Sequence, residues 1–277
     1  MNYKQFSLLA ATAFGLNTAA AVTLEEIAAM SDPAALREIA TGDDDANLRR
    51  AALAKADEPA LYIRAVDNDP SEEVQEFALT RIDDQTQLER IATTHESDEI
   101  RAIAVSKVEK QEIIVQAALE DDEEFVRESA VDVLEDQKIL ARIALEDESE
   151  DVREVATARL EDQAVLAQIA IEHQQEEIGE IALARLTDQA ALRKIATGGA
   201  TGFIRLNALQ NLTDQAALAA IAQHDPSEHV RKTAVERLTD VRLITEIASN
   251  DKSAYVRNVA STVAAHMQVG AVGSVTE

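Results

Sequence analysis

An alanine recurs every 26 residues from Ala52 to Ala260, and this period constrains the fold more than any other feature of the sequence. An aliphatic residue stands four positions before each alanine, so both columns hold at nine successive positions. The alanines are Ala52, Ala78, Ala104, Ala130, Ala156, Ala182, Ala208, Ala234 and Ala260. A fixed period of about 20–50 residues is typical of a solenoid, in which each repeat buries its apolar face against its neighbours. The sequence therefore predicts nine tandem repeats over residues 34–267, in one domain without an internal boundary.

Each repeat carries two apolar stripes with helical spacing. In residues 216–241 these are Leu218, Ile221 and Ala222 in a first helix, helix A, and Val230, Ala234, Val235 and Leu238 in a second, helix B. Residues at i, i+3 and i+4 form one face of an amphipathic helix, and no segment alternates as a strand would. An Asp before helix A and a Ser before helix B are typical N-cap residues. The predicted fold is all-α, an α-solenoid of nine 26-residue two-helix repeats.

The composition excludes several classes of function. Lys and Arg number 26 against 52 Asp and Glu, a formal charge of −26, which opposes nucleic acid binding because affinity for nucleic acid comes from neutralising phosphates. The same charge suits solubility, a saline environment or a surface for a basic partner. The absence of cysteine removes thiolate metal sites and thiol nucleophiles. The five histidines form no zinc motif, and the carboxylates are too many to single out an acid–base pair. We therefore assign no catalytic, metal-binding or cofactor-binding residue.

The N-terminal segment has the order of a secretory signal peptide. Lys4 precedes an apolar run over residues 6–16, and a cluster of small residues ends at Ala21. The run is too short to span a bilayer, so no stable membrane insertion is expected after cleavage. Residues 1–21 are therefore predicted to be a signal peptide, with a periplasmic or secreted protein as the result. The alternative is a partly buried helix that begins the solenoid of a cytoplasmic protein.

Short segments flank the repeats at both ends. Thr23 and Glu26 have the spacing of a capping box ahead of an apolar residue, and Pro33 ends the segment. Residues 22–33 are thus predicted to form an N-terminal capping helix that covers the first repeat. Residues 268–277 are small and contain glycine, which predicts a flexible tail.

In five repeats an Asp between helices A and B is followed six residues later by an Arg. The pairs are Asp43 with Arg49, Asp121 with Arg127, Asp147 with Arg153, Asp225 with Arg231, and Asp251 with Arg257. With two helices per unit, this pattern resembles HEAT-like repeats, particularly the short bacterial type named after phycobilisome lyases. The period is also similar to the leucine-rich repeat variant, whose cysteine cluster is missing here. The resemblance implies that these residues form a structural ladder between neighbouring repeats, and it does not indicate a specific function.

The repeat pattern changes in the sixth and seventh repeats. His173 and Gly199 stand at the Asp position, and Gly179 stands at the Arg position. This predicts an interrupted ladder and a hinge; the glycine-rich loop over residues 197–202 suggests anion binding as an alternative. Three aromatic residues, Phe125, Phe203 and Tyr255, share one helix B position where most repeats carry a polar residue. They either anchor a partner or fill local packing.

Another helix B position is basic in six repeats, at Lys55, Arg81, Lys107, Arg159, Arg185 and Arg237. One interpretation pairs these cations with carboxylates one turn earlier or in the next repeat. In the other, which takes from the HEAT-like resemblance that helix B lines the concave side, the cations contribute to a mixed-charge groove.

The leading functional prediction is a non-enzymatic scaffold that binds a protein or peptide, with a basic one favoured by charge, on its concave helix B surface. The name of the related repeat type suggests a tetrapyrrole (bilin) lyase or chromophore chaperone as one alternative. An acidic mimic of nucleic acid is another alternative.

Overall fold

The computed structural model describes residues 22–173, 177–198 and 201–273, with side chains to residue 268. Within these ranges the regular secondary structure consists of nineteen helices, and no strand is present. None of the described helices combines the length and apolar character that a membrane crossing requires. The predicted signal peptide, residues 1–21, lies outside the described residues and stays a prediction.

The chain falls into two compact units, Met1–Glu135 and Asp136–Glu277, whereas the sequence predicts one domain without a boundary. In unit 1 the helices are α1 (Leu24–Ala29), α2 (Pro33–Gly42), α3 (Ala46–Ala56), α4 (Pro59–Asn68), α5 (Glu72–Leu79), α6 (Gln85–Thr94), α7 (Asp98–Val105), α8 (Gln111–Glu120) and α9 (Glu124–Val131). After α1, which precedes the repeats, the even-numbered helices are A helices and the odd-numbered helices are B helices, giving four helix pairs.

Unit 2 continues the alternation with five helix pairs. Its helices are α10 (Gln137–Glu146), α11 (Glu150–Arg159), α12 (Gln163–Glu172), α13 (Glu177–Arg185), α14 (Gln189–Thr197), α15 (Gly202–Asn211), α16 (Gln215–His224), α17 (Glu228–Arg237), α18 (Val241–Asn250) and α19 (Ala254–Gly273). The last helix extends into the segment 268–277 that the sequence assigns to a flexible tail, and residues 274–277 lie outside the described part.

The two periodic columns form the core of both units. All nine alanines of the column are fully buried, and the aliphatic column is buried at every position. Within each unit, helix B packs against the helix B of the following repeat, as α3 does against α5 and α15 does against α17. A small alanine side chain allows this close approach, while each buried Val, Leu or Ile contributes roughly 1.5–3 kcal/mol. At the N-terminal end α1 packs against α3 and buries Ile27.

The helix starts confirm some of the predicted caps and correct others. The capping box at Thr23 and Glu26 is present, and the Asp before helix A accepts backbone N–H bonds at positions 84, 136, 162, 188 and 214. Before helix B, the hydroxyl oxygens of Ser97 and Thr201 accept such bonds. The prediction is wrong for Ser71, Ser149 and Ser227, whose side chains make no cap bond. The Asp two residues earlier instead accepts their backbone N–H.

Candidate functional site

Arginine side chains link the loops of neighbouring repeats. In unit 2, Arg231 donates from Nε and Nη2 to the two carboxylate oxygens of Asp251, at 2.8 and 2.9 Å. Its Nη1 donates to the backbone oxygen of Asp225, in its own loop, at 2.9 Å. The hydrogen bonding of Arg231 to the carboxylate lowers the pKa of Asp251, against a smaller opposing effect of burial. The same two-pronged pairs with carboxylates are Arg49 with Asp69, Arg101 with Asp121, and Arg205 with Asp225.

The structure assigns the partners that the sequence pairs leave undefined. Within one repeat the arginine donates to the backbone carbonyl of the aspartate six residues earlier, as Arg127, Arg153 and Arg257 do with Asp121, Asp147 and Asp251. The carboxylate partner lies 20 residues further along the chain. Asp69, Arg101 and Arg205 therefore belong to the ladder, although their own repeats lack the complete pair and the sequence analysis omits them.

Between the second and third repeats, Gln75 and His95 stand in place of the arginine and the aspartate of the ladder. The sequence analysis did not identify this change. Gln75 stands at the arginine position and donates to the backbone oxygen of Asp69 at 2.7 Å. His95 stands at the next aspartate position, where its Nδ1 accepts from the N–H of Ser97 at 3.1 Å. The proton is then on Nε2, which donates to the backbone oxygen of Val66 at 3.1 Å. Because the arginine and the aspartate are both replaced here, neither replacement leaves the other residue without its ionic partner.

At Arg153 the arginine of the ladder is kept and only the aspartate of the next repeat is missing. Its Nη1 donates to the backbone oxygen of Asp147 at 2.7 Å, as in the other repeats, but the next aspartate position is His173. The Nε of Arg153 is buried and has no hydrogen-bond partner among the described residues. A buried donor without an acceptor costs about 1–3 kcal/mol. The structure thus agrees with a ladder interrupted at the sixth repeat, while the predicted hinge stays a prediction.

Replacing His173 with aspartate is expected to stabilise the protein by about 1–2 kcal/mol, because a carboxylate at this position gives Arg153 its acceptor. The matched control is His95→Asp, in the same column. The preceding repeat there has Gln75 instead of arginine, and the new carboxylate would face the carbonyl of Val66. That variant is expected to lose stability. Chemical denaturation of both variants checks the opposite signs, and two changes of the same sign would contradict this account of Arg153.

Gly179 is required by a close approach of the backbone. A Cβ atom on this residue would lie 2.0 Å from the backbone oxygen of His173. The arginine that other repeats have at this position therefore cannot be accommodated without a backbone shift. Gly199 lies outside the described residues, so the anion-binding alternative for its loop stays a prediction.

The basic column bonds to backbone carbonyls at helix ends. Lys107 Nζ donates to the oxygens of Leu79 and Ile82, at 3.0 and 2.7 Å, at the end of the preceding helix B. Arg185 and Arg237 likewise donate to the oxygens of Leu160 and Leu212. A cation at a helix C-terminus satisfies free carbonyls and the helix dipole. For these three residues the main partner is thus one that neither sequence interpretation includes.

The other members of the basic column differ in their surroundings. Lys55 and Arg81 are exposed, and the Arg81 guanidinium lies 5.5 Å from the centre of the Phe77 ring. Arg159 is partly buried. Lys107 also has a carboxylate within reach, that of the fully exposed Asp83 at 4.0 Å. The role of this column in binding a partner stays a prediction.

A glutamine column, which the sequence analysis treats only as part of an N-cap signal, clamps successive repeats together. Gln215 donates from Nε2 to the backbone oxygen of Arg237 at 3.2 Å and accepts from the N–H of Thr239 at 3.0 Å. The same two bonds are made by Gln85, Gln111, Gln137 and Gln189. A side chain kept at 26-residue intervals on the first turn of a helix is the signal that could have revealed this role.

The predicted aromatic residues remain at the surface. The exposed fractions are 51% for Phe125, 48% for Phe203 and 46% for Tyr255. In unit 2, His229 occupies the same helix B position in the repeat between Phe203 and Tyr255. The His229 and Tyr255 rings meet edge to face with centroids 6.1 Å apart. We call Phe203, His229 and Tyr255 the aromatic row; it follows the first turns of α15, α17 and α19.

Carboxylates occupy the corresponding face of the two preceding B helices of unit 2. We call Glu150, Asp151, Glu154, Glu177 and Glu180, on α11 and α13, the acidic patch. Burial raises the pKa of Glu154, the charges of Glu177, Glu150 and Asp151 add to this effect, and the charge of Arg153 opposes it. Their influence on one carboxyl group indicates that the patch concentrates negative charge.

The clefts on the described surface are open to solvent. One cleft of about 260 Å³ lies between α2 and α4 and contains the buried Arg49–Asp69 pair beside Arg64. Its lining includes no aromatic residue. In the described part of the chain, no group of three or more acidic or histidine side chains is placed to hold a metal ion.

No protein-family model and no curated protein matches the chain. Among solved structures it is similar to the designed armadillo repeat protein YIII(Dq)4CqI, at 20% identity, covering 90% of this chain and 95% of that one with a TM-score of 0.17. The tandem helix pairs and the contacts that recur with the period decide the fold. The chain is a helical repeat protein. HEAT-like and armadillo-like arrangements are both compatible with this assignment.

Proposed function

We propose that this helical repeat protein is a non-enzymatic scaffold that binds a protein or peptide on the exposed face of its B helices. The observation that carries the proposal is the aromatic row. Phe203 and Tyr255 are about half exposed in a chain with few aromatic residues, although stacking of the repeats does not need rings at this position. Large apolar side chains at a surface are typical of interaction sites, and aromatic residues often dominate binding energy.

The distribution of polar contacts supports the same surface. The recurring arginine, glutamine and basic columns bond within or between neighbouring repeats, as Arg231, Gln215 and Lys107 illustrate. The side chains at the aromatic positions, in the first turn of helix B, make none of these bonds. Residue types at this position also vary from repeat to repeat, from carboxylate to phenyl ring. A scaffold with constant internal contacts and a variable outer face suits partner recognition.

We further propose that the protein works outside the cytoplasm, since the sequence predicts a signal peptide over residues 1–21. A mature protein whose intact mass begins at Val22 would support this proposal. A full-length mass in the cytoplasmic fraction would contradict it.

Affinity capture from the native host tests the binding proposal. We expect the protein to retain a partner in saturable amounts, and we expect the double variant Phe203→Ser/Tyr255→Ser to lose most of it because the apolar contact area is removed. Leu24→Ser is the control, since Leu24 is 54% exposed but lies on α1, outside the aromatic row. Capture of no protein even at low salt, or equal capture by the wild type and the double variant, would contradict the proposal.

A further inference from the structure

We propose that the occupant of the unit 2 helix B face is a peptide segment that is basic at one end and apolar at the other. Its cationic end lies on the acidic patch and its apolar end on the aromatic row. This inference rests on the proposed scaffold function and specifies the chemistry of the partner. Both surfaces lie on unit 2, so the inference does not depend on unit 1.

Both surfaces lie at one repeated position. Asp151, Glu177, Phe203, His229 and Tyr255 follow one another at 26-residue intervals, in the first turns of α11, α13, α15, α17 and α19. A segment that crosses these helices in order therefore meets two acidic repeats and then three aromatic ones. The change occurs once, between α13 and α15, so the two ends of a bound segment experience different chemistry.

The acidic end has unsatisfied charge. None of the five carboxylates of the acidic patch takes part in an ion pair among the described residues. In unit 1 a carboxylate at the same repeated position, Glu73, is paired with Arg50. Crowding of Glu154 with Glu150, Asp151 and Glu177 is relieved when lysine or arginine side chains of a partner approach.

The aromatic end carries fewer carboxylates: the first turns of α15, α17 and α19 contain one, Glu228, which accepts a hydrogen bond from the Ser253 hydroxyl. The only nearby lysine on α17, Lys232, is 2.7 Å from the carboxylate of Glu236, four residues later on its own helix. Leu206, one turn after Phe203, is partly exposed and widens the apolar surface. A second copy of this chain is a poor occupant, because its formal charge of −26 would bring carboxylates toward carboxylates.

The spacing sets the length of the segment. Packed helices lie about 8–10 Å apart, so the four intervals from α11 to α19 span roughly 32–40 Å. An extended chain advances about 3.3 Å per residue. The segment therefore has about 10–12 residues, with lysine or arginine in one half and leucine or aromatic residues in the other half.

The experiment measures binding of three synthetic peptides of about 12 residues to the full chain by fluorescence anisotropy. The first has lysines followed by leucines and one tryptophan, the second is its reversed sequence, and the third has lysines and serines only. We expect the first to bind at least tenfold more tightly than the third. We expect the first and the second to differ severalfold in affinity, because a fixed chain direction on the helices favours one order over the other.

Variants separate the two ends of the site. Phe203→Ser/Tyr255→Ser should weaken binding of the preferred peptide about tenfold or more at any salt concentration. Glu154→Gln/Glu177→Gln should weaken it severalfold at low salt and much less at high salt, because screening removes the charge contribution. Glu161→Gln/Glu246→Gln changes the net charge equally but lies outside the patch, and should leave binding within about twofold of the wild type. Circular dichroism confirms that each variant is folded.

Equal binding of all three peptides, or equal weakening by the two glutamine double variants, would mean nonspecific charge attraction and would overturn the inference. A dimer that the serine double variant abolishes would show that a second copy covers the row, and would also overturn it. If native-host capture depends on Phe203 and Tyr255 but the peptides fail to bind, this inference fails while the scaffold function stands. Failure of capture instead contradicts the scaffold function itself.

Discussion

Replacing Asp251 with asparagine is expected to lower the free energy of unfolding by about 3–5 kcal/mol. The side chain of Arg231 is only 1% exposed and donates two hydrogen bonds to the Asp251 carboxylate. Asparagine removes the negative charge and leaves a buried guanidinium without its counter-ion, which water cannot replace. Urea denaturation at pH 7, followed by far-ultraviolet circular dichroism, measures the loss.

The control for this variant is Arg193→Gln, which breaks an ion pair at the surface. Arg193 pairs with Asp214 at 3.3 Å, but its side chain is 55% exposed. Exposed pairs contribute about 0–1 kcal/mol, so the control should remain close to the wild type. Losses of similar size in the two variants would show that burial does not set the strength of the Arg231–Asp251 pair.

The same pair predicts how stability depends on pH. The Arg231 hydrogen bond lowers the pKa of Asp251 in the folded state, whereas an aspartate in the unfolded chain has a pKa of about 3.9. Its stabilising contribution is therefore fully present above about pH 4 and is lost as the pH falls through the lowered folded-state pKa. Asp251→Asn lacks this contribution at every pH. The stability difference between wild type and variant should thus shrink in acid.

Gly179→Ala is expected to destabilise the protein by about 3 kcal/mol, although alanine favours helices over glycine by about 1 kcal/mol. The new Cβ atom would lie 2.0 Å from the oxygen and 2.8 Å from the carbon of the His173 carbonyl. Both atoms belong to the backbone, so the clash cannot be relieved by rotating a side chain. The helix start at α13 must shift instead. Thermal and urea denaturation would each report the loss.

Gly42→Ala provides the matched comparison for this substitution. Gly42 ends α2, and an added Cβ atom would meet nothing within 4 Å. This variant is expected to be neutral or stabilised by up to about 1 kcal/mol, because alanine restricts the unfolded chain. A gain in stability for Gly179→Ala as well would contradict the close approach to His173.

The architecture was predictable because its signals are local and repeated. The alanine column, the apolar stripes and the aspartate caps each act within one helix, and their 26-residue period identified nine helix pairs. The HEAT-like resemblance implied contacts between neighbouring repeats. It did not identify the atoms: the carboxylate bound by Arg49 belongs to Asp69, not to Asp43 six residues before it.

The remaining contacts depend on how repeats stack, which sequence spacing alone does not define. Lys107 reaches backbone carbonyls, and a backbone atom carries no side-chain signature in the sequence. In the sequence Gln215 is part of a cap signal; its bond to the next loop requires the two repeats to be stacked. His95 can replace aspartate only because its ring reaches the carbonyl of Val66 in the preceding repeat. For the exposed aromatic row, the sequence indicated the ring positions, and the structure added His229 between them.

The inter-repeat hydrogen bonds have a consequence for how the chain folds. Arg49 and Asp69 are 20 residues apart, and the widest separation among the bonds described, between His95 and Val66, is 29. Closing loops of this length costs little more entropy than closing shorter ones, and local contacts favour rapid folding. Each repeat can therefore complete its polar bonds once the adjoining repeat has formed, and folding within a unit can spread from any repeat. An in-frame tandem duplication of a repeat that has both ladder residues, such as the one with Asp225 and Arg231, would likewise supply bonding partners at its one new junction.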